Sequence, residues 1–335
     1  MSLPESVRDR LRLPVLASPM FIVSGPELVV AQCTAGVIGS FPTLNARPHA
    51  QLEEWLDRIT RELADYDARH PDRPSAPYAV NLIVHSSNQR LDKDLATVVK
   101  YRVPVVITSL GARTDVNDAI HSYGGIVLHD VIDEQFARKA VEKGADGLIA
   151  VAAGAGGHAG TRSPFAFIEE IRSFFDGPLV LSGSIATGRS VLAAQAMGAD
   201  LAYIGSAFIA TEEADAVPSY KEMIVDSSAR DIVYADCFTG IHANYLRGSI
   251  VGAGLDPAAL TPAGQTPIDF AINESDAVAP ARQVKPWRDI WGAGQGIGAV
   301  SQIVPAAALV DRLESEYLAA LNTLASHAPS PAVGS

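Results

Sequence analysis

Cysteine is nearly absent from this chain. Its 335 residues hold two, Cys33 and Cys237, which form no metal spacing and no disulfide framework. A reducing compartment, the cytoplasm, is therefore the expected location. Basic charge is also short: 26 Lys and Arg stand against 38 Asp and Glu, for a net charge of −12. Nucleic acid and anionic membrane surfaces are poor partners for such a chain. No apolar run approaches the roughly 18 residues expected of a membrane span. The stretch Met1-Ser-Leu-Pro-Glu-Ser-Val-Arg8 lacks the apolar core of a signal peptide. A Ser-His-Asp arrangement, a cysteine-nucleophile signature and a metal-ligand cluster are all missing, so metal chemistry is not expected.

What the chain has is apolar material, 48% of its residues, ample for a sizeable core. Short apolar runs alternate with helical patterns. The first strand candidate is Pro14-Val-Leu-Ala-Ser-Pro-Met20, and Gly36-Val-Ile-Gly-Ser-Phe41 is the second. A helix over about 50–66 follows, with Leu52, Trp55, Leu56, Ile59 and Leu63 at helical spacing. The next candidates are Tyr78–Val84, Val103–Leu110, Gly125–Val131, Asp146–Ala152, Pro178–Gly183 and Leu201–Ser206. Eight such units over roughly 210 residues fit the size of a (β/α)8 TIM barrel; a doubly wound sheet is the competing fold. After Thr211 the rhythm breaks. Residues 213–285 read as a helical insertion covering the barrel mouth, with 1–212 and 286–335 as the barrel. A closing helix is expected over about 305–325, and the tail from Ala328 is expected to be disordered.

The chain is organised around Ala152-Ala-Gly-Ala-Gly-Gly-His-Ala-Gly160, which follows an apolar strand. Small residues let the backbone approach a ligand closely. His158 stands among them with no bulky neighbour, able to reach a ligand and to titrate near neutrality. The local sequence is equally compatible with a tight loop whose histidine caps a backbone group. Gly154-Ala-Gly156-Gly-His-Ala159 formally fits a dinucleotide fingerprint. However, Thr161-Arg-Ser-Pro164 follows instead of a helix, and the next strand ends in Ser182-Gly183 instead of an acidic residue.

Ser182-Gly-Ser-Ile-Ala-Thr-Gly188 and Ile204-Gly-Ser-Ala-Phe-Ile-Ala-Thr211 lie at the ends of the seventh and eighth strand candidates. In a barrel, loops there commonly hold a phosphate through backbone N–H groups. Asn81, inside an apolar strand, needs partners; a neighbouring strand end and the edge of a heterocycle both remain open. His129 reads as structural, and Asp130 as a rim residue. His85 and His242 read as surface or packing residues. Gln295, in the glycine-rich segment Trp291-Gly-Ala-Gly-Gln-Gly-Ile-Gly298, is a candidate for closing the pocket. A phosphate grip, a histidine on a glycine loop and few charges at the strand ends suit a bound organic cofactor that carries the chemistry.

On these motifs the chain resembles the nitronate monooxygenase (2-nitropropane dioxygenase) family. The resemblance runs over nearly the whole chain, through Pro14–Met20, Val80-Asn-Leu82, Gly154–Gly160, Leu181–Gly188, Gly198–Ser206 and Trp291–Gln295. It implies noncovalent FMN in a TIM barrel, and oxidation of alkyl nitronates with O2 to carbonyl compounds and nitrite. It also implies that His158 is the catalytic histidine, that Ser182, Gly183, Ser184, Gly205 and Ser206 hold the phosphate, and that Asn81 and Gly157 lie near the flavin ring. Ser18, Met20, Gly156 and Gln295 complete the expected cofactor site. A homodimer is expected. Two positions depart from the family pattern. Asp130 stands where many members carry a lysine, and Ala17-Ser-Pro-Met20 stands where many carry Gln-Gly-Gly-Met. Both bear on substrate more than on fold. FMN-dependent enoyl-ACP reductases share the glycine–histidine loop and are the nearest alternative. NADH:quinone reductases and a noncatalytic flavin-binding module are the others.

Overall fold

The computed structural model describes residues 3–262 and 288–327. The strands are β1 (Val15–Ala17), β2 (Gly39–Pro42), β3 (Tyr78–Ile83), β4 (Val105–Ser109), β5 (Ile126–Val131), β6 (Gly147–Val151), β7 (Gly157–His158), β8 (Leu179–Ser182), β9 (Leu201–Ile204), β10 (Ile232–Ala235) and β11 (Ala243–Leu246). Eight of them form one parallel sheet in the order β1-β9-β8-β6-β5-β4-β3-β2. Its two ends meet. Leu16 bridges Ile38 in parallel, the Ala17 amide donates to the Ile38 carbonyl (2.8 Å) and the Ile38 amide to the Val15 carbonyl (3.1 Å). The sheet therefore closes into a (β/α)8 barrel, as the alternation of strands and helices predicts, and the doubly wound alternative is excluded.

The strands close in this way because both of their faces are covered. In β4, Val105–Ser109, every residue is buried, as parallel sheets flanked by helices require. One parity faces the outer helices. The helix Ala50–Arg69 buries Leu52, Leu56, Ile59 and Leu63 along one stripe. The other parity fills the barrel: Leu16, Ile38, Ala79, Val105, Ile107, Leu128, Ile149, Val180 and Leu201 form one cluster, joined by Leu3 and Val7 near the N-terminus. The first and second strands are shorter than their apolar runs suggest, Val15–Ala17 and Gly39–Pro42.

The closing helix, Ala306–His327, packs on the helices Gly188–Ala196 and Pro26–Ala35. Gly188 allows the contact, since a Cβ there would collide with the Leu313 carbonyl. Arg12 ties the same helix down through Asp311 and Glu314.

The expectation for 213–285 needs a correction. Among its described residues are the helices Pro218–Asp226 and Arg247–Gly252, but also β10 and β11, which pair antiparallel. β7, which carries His158, joins them as the third strand, with Ala243 opposite His158 and Asn244 opposite Gly157. A hairpin of two four-residue strands leaves too short a period-2 signal to stand out in the sequence. The tail from Ala328 and the 263–285 part of the expected insertion lie outside the described residues. No helix among the described residues is long and apolar enough to cross a membrane.

Candidate active site

The barrel's inward parity changes character toward the C-terminal ends of its strands. Two residues above Ala79, Ile107, Leu128, Val180 and Leu201 come Asn81, Ser109, Asp130, Ser182 and Tyr203. These line one cavity of about 1710 Å³, larger than the ~300–1,000 Å³ usual for small-molecule pockets. Period-2 alternation thus puts an apolar plug below and a polar floor above, at the end where barrels of this kind carry their sites.

The floor is connected. The Asn81 side-chain amide donates to the Ile107 carbonyl (3.1 Å) and to Ser109 Oγ (2.7 Å). Ser109 Oγ donates in turn to Asp130 Oδ2 (2.6 Å). Asn81 therefore does pair with a neighbouring strand end, while still lining the cavity. Burial pushes the Asp130 carboxyl up to about 6, against hydrogen bonds from Ser109 and the Leu110 amide that hold it down. Burial also raises the Tyr203 hydroxyl well above its ordinary value, with the neighbouring Asp130 adding to the rise. His129 has the opposite parity along β5 and bonds Thr108 Oγ1 through Nδ1 (2.7 Å), and it too borders the cavity. The sequence offered no signal for Ser109 or Tyr203 except parity, which becomes usable once the strand register is known.

Three backbone segments meet above β8 and β9. Gly154 has φ 84° and Gly183 φ 134°, a region open to glycine at little cost. A Cβ on Gly154 would collide with Ser184 Oγ, one on Gly156 would sit 2.7 Å from the Gly294 amide nitrogen, and one on Gly294 2.7 Å from the Gly154 carbonyl oxygen. Ser206 Oγ accepts from the Gly294 amide (2.8 Å), and the Gln295 amide donates to the Gly154 carbonyl (2.9 Å). Ser184 itself has φ 56°, a strained value for a residue with a Cβ and one that clusters at functional sites. Glycines whose place any Cβ would fill, and the hydroxyls of Ser182, Ser184 and Ser206 on the wall, make a cradle fit for the phosphate of FMN.

Of the residues expected from sequence, Ser18, Met20, Asn81, Gly156, Gly157, His158, Ser182, Gly183, Ser184, Gly205 and Ser206 all line the one cavity. Gln295 does not. Its neighbours Gly294 and Gly296 do, while its own side chain lies toward Gly154. His85 and His242, expected to be surface or packing residues, both line the cavity, because the loop after β3 and the turn before β11 converge on the mouth. Tyr234, Phe238, Thr239 and Ile241 reach the same cavity from the part of the chain expected to be helical.

His158 sits on a strand and not on a free loop. The Tyr234 hydroxyl donates to the Ala159 carbonyl (3.0 Å) and the Asn244 amide to the Ala155 carbonyl (2.6 Å), fixing the segment on both sides. His158 Nε2 lies 3.3 Å from Thr239 Oγ1, which donates to the Ile241 carbonyl (3.1 Å). Thr239 Oγ1 also accepts from the Ile241 amide and lies 3.5 Å from the Tyr245 hydroxyl, so the tautomer of His158 sets which ring nitrogen carries the lone pair. The expectation of a histidine titrating near neutrality is corrected: burial pushes the His158 imidazole down to about 4.

The sequence pattern of the family described as nitronate monooxygenase matches residues 8–316. A nitronate monooxygenase of Paraburkholderia phytofirmans is 26% identical, over 93% of this chain and 94% of that protein. The structure of a nitroalkane oxidase from Streptomyces ansochromogenes superimposes with a TM-score of 0.77 at 25% identity, over 95% of this chain and 99% of the other. FabK from Thermotoga maritima shares the fold, with a TM-score of 0.75 at 23% identity over 97% and 100% of the two chains. With a matched region that spans the barrel and its active-site face, the chain belongs to the nitronate monooxygenase family of flavin-dependent oxidoreductases.

Proposed function

We propose that the protein oxidises alkyl nitronates, with FMN as cofactor and O2 as acceptor, to carbonyl compounds and nitrite. The observation that carries this reading is the placement of His158 on β7, in the wall of a cavity that also holds the Ser182–Ser184 and Gly205–Ser206 cradle. One side chain able to take a proton thus faces the space beside the cofactor's phosphate grip. Bound flavin supplies a two-electron acceptor that O2 can regenerate.

The chain's own residues do the rest. The loops Ser182–Ser184 and Gly205–Ser206 would hold the phosphate through backbone N–H groups and hydroxyls. Asn81, whose two amide N–H groups are engaged by Ile107 and Ser109, would offer its side-chain oxygen to the ring. His158, neutral above about pH 4, removes the α-proton of a neutral nitroalkane, and Thr239 orients it. Tyr234, Phe238 and Ile241 roof the cavity and limit access of water.

The test is anaerobic mixing of the purified, FMN-loaded protein with propionate-3-nitronate, NADH or NADPH while the flavin spectrum is followed. Bleaching by nitronate alone is expected. Bleaching by NADH with none by nitronate would replace this reading with an NAD(P)H reductase, and silence toward all three would favour a binding module. Pigment released by heat should be FMN, since the cradle offers one compact anion site; finding FAD overturns the cofactor assignment.

Asp130 adds a pH dependence. Below about pH 6 its carboxyl is neutral, and above that it is an anion facing the cavity. A nitronate is also an anion, so its KM should rise with pH through this range, by up to about tenfold at a separation of several ångströms in a protein interior. In Asp130→Asn the KM should stay flat from pH 5 to 8. A wild-type profile that is already flat would exclude Asp130 from the substrate's surroundings.

A further inference from the structure

The cavity continues past the polar floor onto an apolar shelf. On the barrel side, Ile132 and Phe136 line it while remaining 44% and 50% exposed. Ile132 follows β5, and Gly160 backs it closely, since a Cβ on Gly160 would sit 3.2 Å from the Ile132 Cβ. Phe136 lies on the helix Glu134–Glu142, which Asp133 starts by accepting the Phe136 amide (2.9 Å). From the other side come Leu255, Leu260 and Pro262, which line the same cavity; Leu255 is 36% exposed. Large apolar side chains left open on both walls of one cavity are a binding surface more often than a packing defect.

Two cations border this shelf. Lys139 stands three residues after Phe136, on the same helix face, and Arg162 follows the His158 segment. Both line the cavity and both are exposed. Neither side chain has an ion pair among the described residues, whereas Arg138, one residue from Lys139, is held by Glu134 (2.6 Å) and lies over Phe174. The carboxylate that also borders the shelf, Asp133, is engaged as the helix cap.

We propose that the site takes an amphipathic anion as substrate, its apolar chain lying between Ile132 and Phe136 on one side and Leu255 and Leu260 on the other, and its carboxylate or phosphate pairing with Lys139 and Arg162. The proposal rests on the reading of this cavity as the active site and names the substrate class within it. The reacting carbon lies toward His158, with the anionic group at the outer end.

The test uses unreactive probes, so that it does not depend on which reaction occurs. Acetate, hexanoate, octanoate and decanoate are titrated calorimetrically into the FMN-loaded protein. Affinity should rise up to about fourfold per methylene once the chain enters the shelf, with one molecule bound per chain. Phe136→Ser should flatten the series, and Lys139→Gln/Arg162→Gln should weaken decanoate about tenfold. Decyl phosphate binding more tightly than decanoate would support a phosphate as the natural head group, and the reverse order a carboxylate. Acetate and decanoate binding alike, a double variant that binds decanoate as the wild type does, or decyltrimethylammonium binding as well as decanoate would each overturn the proposal. Decanoate binding by a protein whose flavin no nitronate reduces would retain the substrate class and reject the nitronate reading. Nitronate turnover without decanoate binding would do the opposite.

Discussion

His158→Asn is expected to keep its flavin and to lose turnover on neutral nitroalkanes. The proposed phosphate cradle comprises the Ser182–Ser184, Gly205–Ser206 and Gly154–Gly156 segments, whose close contacts involve Gly294 and Ser184 and not the imidazole. The strand carrying it is held by its pairing with Ala243 and by the Tyr234 and Asn244 hydrogen bonds, none of which uses the imidazole, so it should hold. General-base assistance is worth about 10²–10⁴-fold. A base held down near 4 lies below the operating pH, so the loss should fall toward the lower end, about 10²-fold. On preformed nitronate the loss should be smaller, because that proton is already gone. The wild-type rate on neutral nitroalkane should be flat from neutrality down to about pH 5 and fall as His158 protonates. Wild-type turnover of neutral nitroalkane by the variant would make His158 structural. A variant that purifies without flavin would assign the histidine to the cofactor site.

Gly154→Ala should cost the protein its cofactor while leaving the barrel folded. Gly154 has φ 84°, which an alanine adopts at about 1–2 kcal/mol, and the added methyl collides with Ser184 Oγ. Overpacking of this kind costs a further ~1–3 kcal/mol. The φ strain falls on stability, as at Gly144, while the collision moves Ser184 Oγ off the cradle wall, so the overpacking cost of ~1–3 kcal/mol falls on flavin affinity, about 5- to 150-fold at 1.4 kcal/mol per decade. Equilibrium dialysis of FMN against the refolded apoprotein measures it, with circular dichroism as the check on fold. Gly144→Ala is the control. It also has positive φ, 90°, but nothing lies within 4 Å of its added Cβ, so it should lose stability and not FMN affinity. Unchanged FMN affinity in Gly154→Ala would remove this loop from the cofactor site.

The sequence by itself determined the barrel, and most of the site residues read from it line the candidate site's cavity. Parallel strands covered on both faces must be short apolar runs, and eight of them separated by helical patterns leave few alternatives. Glycines in Ala152–Gly160 and Ser182–Gly188 were legible because a backbone that meets another backbone tolerates no side chain, and that requirement is local. Ser18, Asn81, His158 and Ser206 were legible as polar residues at the ends of such runs. The tertiary structure decided what depends on residues far apart in the chain. Pairing of Ala243 with His158 turns a glycine loop into a strand, and no local pattern encodes a partner 85 residues away. The connection from Asn81 through Ser109 to Asp130 crosses three strands, so it appears only when their register is set. The fall of the His158 pKa and the rise of Asp130 follow from burial, a property of the closed cavity. Gln295 read as a pocket residue because its neighbours are glycines, yet the fold turns those glycines to the cavity and the glutamine toward Gly154. A sequence names the side chains available to a site, and packing chooses which of them face it.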